Sequence, residues 1–341
     1  MFRNIVLFLI LSLILASSAD AREIIDMTGR KVTVPNTIRR VFASSPPATY
    51  MLYTIDPTLL VGSNFNAREQ EKRFLRPEFT RLPIAGGVFG QSRTINYEAL
   101  LALKPDIVLT WSTWGAKADD LFVERMRKAG IPTVFIRLDR IEDYPETFRF
   151  MGELLGRKER AKELSAYARD TLRTLARVVA GIPAKERVKV YYAEGTDGLS
   201  TEGEKSWHAQ LIPLSGGRNV HQGMQLDQAG MEKISMEQVL LYNPEVILTH
   251  ERTFYAALPT DRRWQNIPAV KEKRTYLIPT APFNWFDRPP SFMRLLGLKW
   301  LTNNLYPKRY PLDIHAETKK FYRLFLGVEL SEQDIREILS R

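Results

Sequence analysis

One sequence pattern occurs twice in this chain, as NYEALLALKPDIVLTW at residues 96–111 and as SMEQVLLYNPEVILTH at residues 235–250. The two copies share a glutamate, two leucines, a proline and a threonine at matching places, and several of the differences are conservative. An internal repeat constrains the architecture of a chain more than any other feature of its sequence. Two copies this far apart indicate two similar domains rather than a solenoid.

Each copy predicts a short helix followed by a buried strand. Asn96 and Ser235 are residues that cap a helix, and Glu98 and Glu237 fall in the first helical turn, where a carboxylate complements the helix dipole. A proline then ends the helix, since the residue before proline avoids the helical conformation. The apolar run that follows is typical of a strand in a parallel sheet. Because helix and strand patterns alternate elsewhere too, the sequence predicts an α/β fold.

The ends of the two repeated strands are candidate ligand contacts. Ligands of open α/β sheets bind outside the carboxyl ends of the strands, and these ends carry Trp111 and Trp114 in one copy and His250 and Arg252 in the other. The tryptophans could equally pack in the core or in a loop. His250 could equally be a histidine whose hydrogen bonds are made within the protein.

Three predicted loops combine aromatic and cationic residues, at residues 89–93, 205–208 and 283–288. Arginine and lysine suit carboxylate, catecholate or oxyanion groups, while tryptophan and phenylalanine suit a flat organic body. Taken together at strand ends, the loops favour ligand binding. Their candidate residues are Arg93, Trp207, His208, Trp285 and Arg288.

The chain has 341 residues, of which 44% are hydrophobic, enough for two domains. Arg3, the apolar run at residues 5–15 and Ala-Asp-Ala at residues 19–21 have the pattern of a cleavable signal peptide, and the run is shorter than the roughly 20 residues that span a bilayer. A helical, proline-free stretch lies midway between the repeats. The predicted parts are a signal peptide at 1–21, an N-terminal lobe at 22–155, a linking helix at 156–182 and a C-terminal lobe at 183–341.

Several kinds of chemistry find no support in the sequence. The chain has no cysteine, so we expect neither a disulfide nor a cysteine-linked lipid anchor, and a periplasmic location fits best. Four scattered histidines do not predict a protein-held metal ion or any cofactor. The net charge of +10 fits a solvated basic surface or a preference for anionic ligands. Nucleic acid is a poor partner for an exported protein, and no signature of nucleic-acid binding is present.

The chain resembles the periplasmic substrate-binding proteins of ABC importers that handle iron-siderophore complexes, haem, cobalamin and related metal chelates, the class III binding proteins. The resemblance rests on DMTGR at residues 26–30, GGRNV at residues 216–220 and the first parts of both repeats, and it covers nearly the whole mature chain. It implies two Rossmann-like lobes with mostly parallel sheets, joined by one long α-helix, with the ligand in the cleft between the lobes.

The resemblance also implies a partner, an ABC permease dimer with its ATPase subunits. In the family, a glutamate on each lobe docks onto arginines of the two permease subunits, and Glu98 and Glu237 stand at the matching positions. The membrane would then be reached only through the permease. A simpler role for each glutamate is to stabilise its helix, because a carboxylate near a helix N-terminus contributes about 0.3–1 kcal/mol.

We expect the ligand to be an anionic Fe³⁺-siderophore complex, with Arg93, Arg252 and Arg288 as charge partners and Trp207, Trp285 and His208 along the cleft. Molybdate or tungstate, haem, cobalamin and a nickel chelate are alternatives within the same class.

Two further roles stay open from the sequence. The protein could present its ligand to a receptor instead of a permease. An enzyme on the same scaffold would need an acid-base pair, and His208 with Glu202 or Glu204 is the best that the sequence offers. We expect a binding protein and no enzyme.

Overall fold

The structure is a computed structural model that describes residues 21–89, 92–93, 95–111, 116–223 and 231–340, with the backbone alone at residues 89, 92–93 and 116–119. The predicted signal peptide therefore lies outside the described residues, except for its last residue, Ala21. Within the described ranges, none of the helices combines the length and the apolar character needed to cross a membrane.

The first part of the chain alternates strands with helices, as the sequence predicts. In order, the elements are β1 (Ala21–Ile25), β2 (Lys31–Pro35), β3 (Val41–Ala43), α1 (Pro46–Ile55), α2 (Glu69–Lys72), α3 (Pro77–Thr80), β4 (Val88–Phe89), β5 (Ser92–Arg93), α4 (Tyr97–Ala102), β6 (Ile107–Trp111), α5 (Ala116–Lys128), β7 (Thr133–Ile136) and α6 (Tyr144–Leu155).

The second part repeats this alternation and adds helices at its end. In order, its elements are α7 (Lys158–Ala180), β8 (Lys189–Tyr192), β9 (Ser200–Thr201), α8 (Leu211–Leu214), β10 (Arg218–Asn219), β11 (Glu232–Lys233), α9 (Met236–Tyr242), β12 (Val246–Thr249), α10 (Arg252–Ala257), α11 (Pro268–Lys271), β13 (Thr275–Leu277), α12 (Arg294–Leu305), α13 (Ile314–Phe321), a π-helical turn (Tyr322–Leu326) and α14 (Glu332–Ser340).

Two parallel sheets define two lobes. The N lobe is built on the strand order β3-β6-β7, and the C lobe on the order β10-β8-β12-β13, with every neighbouring pair parallel. All residues of β6 and of β12 are buried, which is expected for a central strand covered by helices on both faces. The β1-β2 hairpin attaches to the N lobe through Asp26, whose carboxylate accepts a hydrogen bond from the backbone N–H of Phe135 at 3.2 Å.

The repeated sequence forms the same local structure in both lobes. In each copy the residue before the proline, Lys104 or Asn243, has a positive φ, 46° and 47° respectively. In each copy the acidic residue after the proline accepts a hydrogen bond from the backbone at the start of the neighbouring strand: Asp106 from Arg40 N–H at 2.8 Å, and Glu245 from Lys189 N–H at 2.8 Å. The α/β fold predicted from the repeat is therefore confirmed.

One long helix, α7, runs between the two sheets in the sequence. Helix α6 ends at Gly156, which adopts the left-handed conformation that glycine favours, and α7 begins two residues later. With 23 residues α7 is about 35 Å long. It packs against α6 of the N lobe and against α12 of the C lobe, so it contacts both lobes along its length.

The C-terminal helices pack back across the molecule onto the N lobe. Tyr53 in α1 donates its hydroxyl hydrogen bond to the carbonyl of Leu326 at 2.8 Å. Arg73 forms an ion pair with Asp334 in α14 at 3.3 Å and another with Glu337. Because of these contacts, one continuous cluster of buried apolar residues runs from the N lobe into the C lobe.

Candidate ligand-binding site

The two lobes touch at a pair of tryptophans. Trp111 ends the central strand β6 of the N lobe, and Trp207 begins a 3₁₀ turn (Trp207–Ala209) of the C lobe. Their rings meet edge to face, with centroids 5.8 Å apart and planes at 84°. The indole N–H of Trp111 donates to Asp139 Oδ1 at 3.2 Å, which fixes the orientation of this ring. An aromatic contact between lobes thus lies at the carboxyl end of a sheet, where ligands of α/β proteins bind.

A buried histidine, His208, packs its ring against the ring of Trp207. The ring of His208 lies 3.8 Å from the ring of Trp207, centroid to centroid. His208 is buried, its backbone N–H donates to Ser206 Oγ at 3.1 Å, and its Nδ1 is hydrogen-bonded to Asp287 Oδ2. Because Asp287 comes from a distant loop, this bond ties the Trp207 turn to the segment around residue 287.

Arg288 joins the same segment to the end of strand β8. Its Nε donates to Glu194 Oε1 at 2.6 Å, its Nη2 donates to Glu202 Oε1, and Nε lies 3.7 Å from Asp287 Oδ2. All three acidic residues are fully buried, whereas 24% of the Arg288 side chain is exposed. We refer to Glu194, Glu202 and Asp287 together as the carboxylate cluster.

The carboxylate cluster has more acidic groups than Arg288 can neutralise. Burial raises the pKa of Glu194 to about 8, against the opposing influence of Arg288, and the nearby charges of Glu202 and Asp287 raise it further. Burial disfavours the charge of Arg288, but the attraction of Glu194 and Asp287 outweighs this and raises its pKa. The raised pKa therefore favours the protonated form of Glu194 at neutral pH.

Two buried oxygen atoms of the cluster have no hydrogen-bond partner among the described residues, namely Glu194 Oε2 and Asp287 Oδ1. An unsatisfied buried acceptor is costly, and protonation lowers that cost because it removes the charge. This agrees with the raised pKa of Glu194.

His250 directly follows β12, an inner strand of the C lobe, and its ring is hydrogen-bonded within that lobe. Its Nδ1 lies 3.0 Å from the hydroxyl of Tyr192, and its Nε2 lies 3.4 Å from Glu251 Oε1. Burial lowers the pKa of His250 and raises that of Tyr192. A neutral imidazole beside a protonated phenol means that Tyr192 donates and Nδ1 accepts. His250 is thus an internally bonded histidine at the carboxyl end of β12.

Three other predicted contacts stand apart from this network. Arg252 begins α10, where it is exposed. Arg93 lies in β5, paired in register with Val88, and the structure describes its backbone alone. Trp114 lies outside the described residues.

Trp285 is a core residue in this structure. Its side chain is fully buried, and its indole N–H donates to the carbonyl of Ala281 at 3.4 Å. Its carbonyl oxygen lies against Gly297 of α12, where an added Cβ would come within 1.8 Å of it. The predicted loop therefore divides: Trp285 packs inwards, while Asp287 and Arg288 form the network near Trp207.

The two glutamates predicted to dock onto a permease are both exposed. Glu98 lies in the first turn of α4 and Glu237 in the first turn of α9. The pKa of Glu237 is lowered, mainly by its own backbone N–H and by Ser235.

Comparison with known proteins identifies the family. Residues 50–282 match the family described as periplasmic binding protein. The chain belongs to this family. Its resemblance to binding proteins with two α/β lobes, predicted from the repeat and the flanking motifs, is confirmed.

The relatives of this chain match it over most of their length. The molybdate-binding protein MolA of Haemophilus influenzae is 27% identical, over 95% of this chain and 96% of its own. A solved ABC transporter solute binding protein from Sulfurospirillum deleyianum is 40% identical, covers 94% of this chain and 99% of its own, and superimposes with a TM-score of 0.87. MolA solved with bound molybdate is 25% identical, covering 91% of this chain and 99% of its own, with a TM-score of 0.73. These relatives are named as binding proteins and not as enzymes.

Sequence reasoning missed Glu194 and did not anticipate how Glu202 and His208 are used. Glu194 lies two residues after strand β8, so its position after an apolar run was the available signal. The acid-base pair considered from the sequence is arranged differently: His208 bonds to Asp287, whereas Glu202 bonds to Ser206 at 2.7 Å and to Arg288. Both groups thus take part in structural hydrogen bonds.

Proposed function

We propose that this protein is the periplasmic solute-binding component of an ABC importer, exported through a signal peptide at residues 1–21. It captures an anionic metal chelate between its lobes and delivers this chelate, as cargo rather than as a cofactor, to a permease dimer with ATPase subunits. The 40% identity with an ABC transporter solute binding protein, over nearly the full length of both chains, supports the transporter assignment.

The observation that carries the ligand assignment is the contact between Trp111 and Trp207. It joins opposite lobes at the end of a central strand, and separation of the lobes would expose a flat apolar ring on each side to an organic body. An organic chelate has such a body. We assign these two tryptophans as the walls of the ligand site.

Arg288 is the cation that we assign to the ligand. Among the described residues its Nε and Nη2 are bound to carboxylates, and its Nη1 makes no hydrogen bond. Glu194 and Glu202 hold the guanidinium in place, and its exposed part keeps donors for an anionic group. This arrangement limits the ligand to few negative charges, because three carboxyl groups of the carboxylate cluster surround the single guanidinium of Arg288.

A ferric siderophore complex is our first candidate for the ligand, because its organic body suits the two tryptophans. Molybdate or tungstate is the second candidate. Its support is the similarity to MolA, which extends over nearly all of this chain. The two candidates differ in what they need: an oxyanion needs several converging donors, whereas a chelate also needs the aromatic walls.

Equilibrium titration distinguishes the candidates. We expect ferric siderophores to quench the tryptophan fluorescence of the intact protein, and Trp207→Ala to weaken their binding far more than Trp264→Phe, which changes a buried tryptophan of the C-lobe core. The same panel includes molybdate, tungstate, haem, cobalamin and a nickel chelate. Tight binding of molybdate that is unaffected by Trp207→Ala would favour the oxyanion, and tight binding of cobalamin alone would overturn the anionic ligand.

We also propose that Glu98 and Glu237 dock onto the permease. They are exposed at equivalent positions of the two lobes, as a two-fold partner requires. The double variant Glu98→Ala/Glu237→Ala is expected to bind ligand normally and to lose stimulation of the transporter ATPase. Glu159→Ala is the matched control, since Glu159 is also an exposed glutamate in the first turn of a helix. Normal stimulation by the double variant would contradict the docking role.

A further inference from the structure

The two repeated helices each expose a leucine beside their glutamate. Leu101 follows Glu98 by three positions in α4, and Leu240 follows Glu237 by three positions in α9. Residues three apart lie on the same face of a helix, so each helix presents a carboxylate and an apolar side chain side by side. The exposed fractions of the two leucines are nearly equal, 43% and 45%.

The local structure holds these side chains in the same way in both lobes. Asn96 Oδ1 accepts from Ala99 N–H at 3.0 Å, and Ser235 Oγ accepts from Gln238 N–H at 3.2 Å, so both helices have side-chain caps. The residue just before each leucine, Leu100 or Val239, is fully buried and anchors its helix to the sheet. The alternation of a buried residue with an exposed leucine is thus itself repeated.

Single exposed leucines are common on protein surfaces and do not by themselves indicate a binding site. Here they are concentrated: among the described residues, three of the seven large exposed hydrophobic side chains lie on α4 and α9. The three are Leu101, Leu240 and Leu241, and the others are Ile25, Ile84, Leu121 and Met231. Neither helix capping nor attachment to the sheet requires an apolar residue at the exposed position.

We infer that Leu101 and Leu240 form the apolar half of a paired docking surface, whose acidic half is Glu98 and Glu237. The inference rests on the proposed function, since the partner is the permease dimer. Two equivalent patches fit a partner with two-fold symmetry that offers, on each subunit, a cation beside an apolar socket. Leu241, 78% exposed, enlarges the patch on the C lobe, where the first copy has Ala102.

The two halves of each patch contribute different kinds of affinity. Ion pairs in contact with water contribute little and weaken as salt screens them. The free energy gained when a leucine is buried depends on the apolar area removed from water and is insensitive to moderate salt. Docking by glutamates alone would therefore be weak and salt-sensitive, and the leucines add a part that persists in high salt.

Binding of the full-length protein to its permease–ATPase complex in lipid nanodiscs tests this inference, at low and at high salt. Since each leucine is a little under half exposed, we expect Leu101→Ala and Leu240→Ala to weaken docking about three- to tenfold each, and about ten- to a hundredfold together, at both salt concentrations. Glu98→Ala/Glu237→Ala is expected to weaken docking mainly at low salt. Ile25→Ala, at a residue 64% exposed in β1, is the control and should bind like the unchanged protein.

The outcomes separate the inference from the function on which it rests. If the glutamate variant loses docking while the leucine variants bind normally, the apolar half is wrong and the proposed function stands. If neither set of variants affects docking, both the acidic and the apolar halves are wrong. If the leucine variants instead abolish self-association in sedimentation, the patch is covered by a second copy of this chain and the inference fails. Unchanged circular dichroism and melting temperature establish that the variants are folded.

Discussion

Arg288 holds together buried groups that would otherwise repel one another, so its replacement is a direct test of the network. We consider Arg288→Gln, which removes the positive charge but keeps a polar side chain. The change deletes the bond from Nε to Glu194 at 2.6 Å and the ion pair with Glu202. The carboxylate cluster is then left without its counter-ion.

The size of the effect follows from burial. Removing one partner of a fully buried ion pair costs about 3–5 kcal/mol, because the other charge stays buried and unpaired. Since 24% of the Arg288 side chain is exposed, water replaces part of the lost interaction. We therefore expect the free energy of unfolding to fall by roughly 2–4 kcal/mol at neutral pH.

The effect should depend on pH in a definite direction. Without Arg288, Glu194 loses the neighbour that opposes the effect of burial, so its pKa, already raised in the fold, rises further. A pKa raised by folding gives stability that is present at low pH and is lost as the pH rises. Because the Glu194 pKa is already about 8 in the unchanged protein, the deficit of Arg288→Gln is expected to be larger at about pH 9 than at about pH 6.

Urea unfolding, followed by circular dichroism at both pH values, measures this deficit. Arg263→Gln is a matched control, because Arg263 is ion-paired with Asp261 at an exposed site and should lose less than about 1 kcal/mol. Adding Glu194→Gln to Arg288→Gln should recover part of the loss at high pH. A deficit that is the same at both pH values, or no larger than that of the control, would refute the role assigned to the cluster.

Three further predictions follow from single contacts. Because folding raises the pKa of Glu194 from 4.5 to about 8, this residue should cost the unchanged protein stability as the pH rises through that range, and Glu194→Gln should flatten the pH dependence measured by urea unfolding. Gly297→Ala should reduce the free energy of unfolding by roughly 3 kcal/mol or more and lower the melting temperature, since the added Cβ would come within 1.8 Å of the Trp285 carbonyl oxygen. Gly181→Ala, with its nearest contact at 3.4 Å, should change the melting temperature little. Equal melting temperatures of the two variants would contradict the packing. Trp207→Ala should weaken ferric siderophore binding about tenfold, measured by isothermal titration calorimetry. Trp207→Phe, which keeps an aromatic ring, should retain most of the affinity. Equal losses of affinity in both variants would argue against a stacking role.

The parts of the fold that the sequence predicts are those with local causes. A capping residue, a proline and an apolar run determine each repeated helix and strand, and these signals lie within a few positions of one another. The similarity of two distant copies then indicates two lobes. The return of the C-terminal helices onto the N lobe has no such local signal, because it depends on contacts such as Tyr53 with Leu326.

The site is less predictable because its partners come from distant segments. The 283–288 loop combines aromatic residues with a cation, and that composition suits both a pocket and a core. Only the tertiary structure shows that Trp285 packs against Gly297 whereas Arg288 meets Glu194. Likewise, the sequence offers Glu202 as a partner for His208, but the fold brings Asp287 to that histidine.

The two copies of the repeat have similar residues on the exposed face of their helices but different residues where their strands end. The surface at Glu98 and Leu101 matches the surface at Glu237 and Leu240, whereas one central strand ends in Trp111 and the other in His250. On the proposed docking, a half-turn of the protein presents its partner with two similar patches, the one on the C lobe being larger by Leu241. The protein would then be able to dock in either of two orientations, and a transported molecule held between unlike walls would enter the transporter facing either way.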